Sequence, residues 1–165
     1  MAKTDSFFIR AGATFDSANF VQSDVDLGAF VDALGKSVLR IHNVSVQWSG
    51  TTSQLTPAAN TDYGASFQLT TQSQTAIVNA TDKSVISTGK LSCAGGANSE
   101  VVMLNDSVDV APQQWRNGYL VGVETIYFGI DQNADFGLAT CNVVLECTVE
   151  TLSEKAAMAL ALSQQ

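Results

Sequence analysis

The chain has 165 residues, 45% of them hydrophobic and only 15% charged, with eight basic residues against sixteen acidic ones and a net charge of −8. That length fits one domain able to bury about two thirds of its unfolded surface. The basic residues are scattered and the first ten positions hold only Lys3 and Arg10. The expectation is a chain without a basic arm that does not bind nucleic acid directly, since such binding needs cations to neutralise phosphates. A charged fraction below the roughly 25% usual for soluble domains leaves a surface of Ser, Thr, Asn, Gln and Gly, which is easier to desolvate against a partner.

The N-terminus, MAKTDS, is polar and lacks the apolar core of a secretory signal, and no run of 18 apolar residues follows. The expectation is a protein made in the cytoplasm that spans no membrane. From Phe7 to Phe15 the odd positions Phe7, Ile9, Ala11, Ala13 and Phe15 alternate with Arg10, Gly12 and Thr14, the period-two pattern of a strand with one buried face. Asp24 to Val31 is a weaker strand candidate. Its Asp24 and Asp26, with Asp32 beyond, read as a solvated acidic edge that deters strand pairing, or as carboxylates for acid/base work. Gly35-Lys36-Ser37 resembles the end of a phosphate-binding loop, but the glycine required five residues earlier is Phe30.

Lys36 to Trp48 reads as a strand whose buried phase changes, from Leu39 and Ile41 to Val44, Val46 and Trp48, so a bulge is predicted near His42 and Asn43. His42 is the only histidine, mid-strand and without a nucleophile motif nearby, which excludes a Ser-His-Asp mechanism and the multi-histidine sites of metal-dependent cupins. Further strands are predicted over Ala65 to Thr71, Ser84 to Ser92, Ser99 to Leu104 and Tyr119 to Ile130, with Thr75 to Asn79 another weaker candidate. Connectors carry loop chemistry at Ser49 to Thr52, Pro57 to Gly64, Ala94 to Asn98 and Asn117-Gly118, and Pro112 to Trp115 is a candidate helical turn. Three Asn-X-Ser/Thr acceptor patterns start at Asn43, Asn79 and Asn105 and carry little weight without a secretion signal.

Trp48, Tyr63 and Trp115 are the candidate ligand or interface aromatics, either a platform for a sugar or plugs for the ends of a sandwich. Asp131, Asn133 and Asp135 have the opening spacing of a calcium loop. Phe136 and Asn142 stand where that loop needs Gly and Glu, so a turn built from Asp and Asn is the stronger reading. Cys141 to Glu150 is the last strand, and it would hold Cys141 and Cys147 about 20 Å apart, too far for a disulfide. With Cys93 they make an odd set of small buried thiols. Thr151-Leu-Ser-Glu154 has capping-box spacing before a helix of about three turns, with Leu152, Ala156, Ala159 and Leu160 on one face.

These elements predict an all-β protein: a single jelly roll, two antiparallel sheets in a sandwich, over residues 1–150. A C-terminal helix over 151–165 would pack on the sandwich or on a neighbouring subunit, within one domain overall. No catalytic residue and no cofactor is assigned.

The stretches FFIRAGATF (from Phe7), VLRIHNVSVQW (from Val38) and GYLVGVETIYF (from Gly118) give the chain its texture. In that texture it resembles the small single-jelly-roll capsid proteins of tailless icosahedral viruses, across most of its length and without a diagnostic motif. The resemblance implies a structural, non-enzymatic subunit of a virion. It would assemble with copies of itself, and with other capsid proteins, into an icosahedral shell. The missing basic arm resembles the capsid proteins of double-stranded DNA viruses more than those that package single-stranded RNA. The alternatives are a subunit of another β-rich assembly, such as a surface filament or layer, and a carbohydrate-binding module.

Overall fold

A computed structural model describes residues 4–16, 19–32, 36–50, 59–97, 101–103, 113–133 and 140–165. Its strands are β1 (Phe7–Thr14), β2 (Val21–Asp26), β3 (Ser37–Ser49), β4 (Asp62–Thr70), β5 (Val85–Gly95), β6 (Val101–Met103), β7 (Gln113–Val121), β8 (Thr125–Gln132) and β9 (Thr140–Thr151), followed by helix α1 (Glu154–Ser163). One sheet has the order β1-β9-β3-β7 and the other β2-β8-β4-β5-β6, with every pair antiparallel. Apart from β4, β5 and β6, which are neighbours in one sheet, successive strands cross from sheet to sheet, and the first strand lies beside the last. That is the wiring of a jelly roll, with β6 as an added edge strand.

Alternation decides which side of each strand is buried. Cys141, Val143, Leu145 and Cys147 of β9 face Leu39, Ile41 and Val44 of β3 within one core, which Phe67, Leu69, Phe128 and Ile130 close from the opposite sheet. Gln113 ties the sheets together at the β7 edge: its Oε1 accepts from Ser87 Oγ (2.6 Å) and its Nε2 donates to the Thr88 carbonyl (2.6 Å).

Several sequence expectations are corrected. Tyr119 to Ile130 is two strands in different sheets, because Gly122, Val123 and Glu124 turn the chain between β7 and β8. Gln113 to Trp115 is extended rather than helical, Asn117-Gly118 lies within β7, and Pro112 falls outside the described residues. Thr75 to Asn79 forms no strand. It crosses the outer face of β4, where Gln68 donates to the Ala76 carbonyl (3.0 Å) and accepts from Val78 N–H (2.8 Å). The second strand ends at Asp26, where the Asp26 side chain accepts from Gly28 N–H.

The helix is capped by Ser153 rather than Thr151, its Oγ accepting from Ala156 N–H at 3.4 Å. Ala157 and Ala161 are its buried face, while Ala156 and Ala159 point outward. It docks on its own sandwich: Gln164 accepts from Gly122 N–H and donates to the Leu120 carbonyl, both at 2.8 Å.

Candidate functional site

The predicted aromatics do not form a platform. Tyr63 is buried, its hydroxyl donating to Gln132 Oε1 at 3.0 Å, and burial pushes its pKa well above the usual phenol value. Trp48 stacks on Phe15 and meets the edge of Phe67, each at 6.1 Å between centroids. Trp115 leans on Tyr119 at 6.0 Å, half-buried against the core. Large aromatic surfaces are here used for packing.

Asp131 and Asn133 stand at the end of β8: Asp131 Oδ1 accepts from Gln132 N–H, and Asn133 meets β4, its Oδ1 accepting from Gly64 N–H, both at 2.8 Å. Asp135 lies outside the described residues. Among the described residues no group of three or more His, Cys, Asp or Glu side chains could hold a metal. Cys93, Cys141 and Cys147 are free and buried. Desolvation raises all three thiol pKa values, that of Cys147 to about 12 with a smaller push from Glu146. Such thiols are poor nucleophiles.

The polar constellation that sequence reasoning missed lies on the outer face of the β1-β9-β3-β7 sheet. Arg40 donates from Nε and Nη2 to the two carboxylate oxygens of Glu150, at 2.7 and 2.6 Å. Glu150 is only 1% exposed and Arg40 17%, so this is a forked ion pair with one end in the protein. The hydrogen bond to Glu150 holds the Arg40 pKa above its ordinary value, against an opposing desolvation. Next along β3, His42 Nε2 lies 3.0 Å from Thr148 Oγ1.

The predicted bulge at His42 is present and is larger than the change of phase implies. Against β9, Ile41 pairs with Cys147 and Asn43 with Glu146, leaving His42 as an extra residue. Against β7, Ile41 pairs with Tyr119 and Asn43 with Gln114, so the four residues 115–118 stand opposite His42 alone. Gly118 makes this possible: its φ of +69° suits glycine, and a Cβ there would meet Arg40 Cγ at 2.6 Å and the Ile41 carbonyl at 2.9 Å. Arg40 Nη1 donates to the Asn117 carbonyl and pins the bulged segment. Arg40, His42, Arg116 and Asn117 together line a shallow groove. Bulges of this kind re-aim side chains away from the regular pleat.

The strand order defines the class as a jelly-roll β-sandwich. No family model and no curated protein matches the chain. Solved structures with a similar strand course include viral proteins. VP1 of Trichodysplasia spinulosa-associated polyomavirus, solved with GM1 oligosaccharide, is 8% identical, with 89% of this chain and 96% of that one covered and a TM-score of 0.49. The BFDV capsid protein, solved as a decamer, is 13% identical over 88% and 99% of the two chains, with a TM-score of 0.30. PorU from Porphyromonas gingivalis is 8% identical over 90% of this chain and 13% of that one, with a TM-score of 0.40.

Proposed function

We propose that this chain is a structural capsid protein, made in a host cytoplasm, that assembles with copies of itself into the icosahedral shell of a virion. Jelly rolls serve capsids, lectins and cupins, and one fold hosts many functions, so the choice rests on the surface. The observation that carries the reading is the outer face of the β1-β9-β3 sheet. Register puts Gly12, Asn142 and Gln47 in one row across it and Thr14, Thr140 and Ser49 in the next, six small or neutral residues without a charge. Two adjoining rows of that composition lose little when desolvated and suit contact between subunits, with the first charge of that face, Arg10, in the row beyond.

The competing jelly-roll functions find less support. A cupin centre needs several histidines and the sequence has one. A lectin reading needs solvent-facing aromatics, and Tyr63 and Trp48 are committed to the core. Neither the packed aromatics nor the end of β8 at Asp131 supplies a place for catalysis, which favours a non-enzymatic role.

Negative-stain microscopy and sedimentation of the purified chain test the proposal. Closed shells of uniform diameter are the expected result. Filaments would move it to another kind of β-rich assembly, and a monomer at all concentrations that binds sugars would overturn it.

A further inference from the structure

We infer that the groove where β7 bulges opposite His42 is an anion seat, and that its occupant in the assembled protein is a carboxylate of a second copy of this chain. The inference rests on the assembly reading above and deepens it by naming one contact.

The groove gathers Arg40, His42 and Arg116 on one patch of a chain whose net charge is −8, although in sequence they are 76 residues apart at the extremes, 116 less 40. Its walls are built. The extra residue of β3 and the three-residue excess of β7 coincide there, Gly118 supplies the required backbone, and Arg40 clamps the Asn117 carbonyl. Two of these groups already have partners: Arg40 is forked onto Glu150 and His42 is hydrogen-bonded to Thr148. Arg116, exposed on the bulge, has no hydrogen bond or ion pair among the described residues and carries the uncommitted charge of the groove.

A single free guanidinium takes a single carboxylate well, in forked geometry. A nucleic-acid strand needs several cations in a row and would meet the repulsion of the remaining surface. The neighbouring copy has carboxylates to offer. Asp24 is exposed on β2, the edge strand of the opposite sheet, and acidic chains of this kind repel one another except where a cation meets an acid. Because groove and edge strand are different patches, a contact between them is heterologous and closes into a ring when the rotation permits, as a shell requires.

The test compares wild type, Arg116→Lys and Arg116→Glu by sedimentation velocity over a concentration series, with circular dichroism to check that each is folded. The expected result is association of wild type at the lowest concentration, of Arg116→Lys, which keeps the charge but loses the fork, at an intermediate one, and of Arg116→Glu only with roughly tenfold more protein than wild type. Equal association of all three, with shells still forming, would overturn the seat and leave the capsid reading standing. Wild type that stays monomeric throughout would overturn the capsid reading as well. Binding of a fluorescent oligothymidylate, lost in Arg116→Glu, would assign the groove to phosphate and overturn the carboxylate occupant.

Discussion

Glu150 shows how much one side chain can carry in this sheet. It is buried on the outer face of β9 and meets both arms of the Arg40 fork, so that pair compensates much of its charge. Breaking a buried pair from one side strands the other charge and costs about 3–5 kcal/mol. Because Arg40 keeps some contact with water, Glu150→Gln is expected near the lower end, about 3 kcal/mol. Urea denaturation will read it as a lower midpoint with an unchanged slope. The double variant Arg40→Met/Glu150→Leu should recover most of the loss, since an apolar pair of similar volume avoids the desolvation.

The thiols act at the same scale. Cys147 is pushed up to about 12 by burial, against about 8.5 for an unfolded thiol. Below about pH 8.5 both states hold the proton and the contribution is complete. Above it the unfolded chain ionises first, so stability falls by about 1.4 kcal/mol per pH unit per buried thiol until the folded value is reached. Melting temperature should therefore drop between about pH 9 and 11, and Cys147→Ala should flatten the slope while lowering the plateau. A drop of the same slope in Cys147→Ala would assign it to other groups.

At the level of elements, β7 and α1 depend on single positions. Gly118→Ala places a Cβ against the Arg40 stem and the Ile41 carbonyl at a positive φ, and is expected to cost about 1–3 kcal/mol. Gln164→Ala removes both hydrogen bonds that hold the helix end to Gly122 and Leu120. Hydrogen exchange should then speed up in α1 and leave β9 protected, because helix and sheet share few buried contacts beyond Ala157 and Ala161.

These same elements mark what could be read from sequence. β1 alternates cleanly because it has one buried face, β9 does so as far as Cys147, and the bulge at His42 announced itself as a change of phase. The turn between β7 and β8 was hidden because Val121, Gly122 and Val123 keep the apolar run going while the chain changes sheets. Ile77 and Val78 were misread as strand because they lie over β4, tied by the Gln68 side chain, where apolar residues are also favoured. The groove was invisible for a different reason. Arg40 and Arg116 come from strands brought together only by the fold, and a sequence of scattered charges has no local pattern to reveal them.

For the molecule as a whole, the order of the strands makes the chain's two ends interdependent. β9 lies between β1 and β3 in its sheet, pairing Phe7 with Cys147 on one side and Ser37 with Thr151 on the other. Nearly all of this pairing joins residues far apart in sequence, so the entropy of closing the intervening loops must be met before the contacts form. Folding is expected on the millisecond-to-second scale of all-β sandwiches and should finish only when β9 is present. Deleting 140–165 should leave no cooperative unfolding transition, since β1 would lose the one strand it pairs with among the described residues and β3 one of two. Deleting 153–165 removes the helix alone, and dispersed amide resonances should survive with a lower melting temperature, because Gly122 and the β7 end lose their cover. A helix-deleted chain that melts cooperatively but no longer assembles would place α1 in the subunit contact. One that still assembles would leave that contact to the sheet faces and the groove.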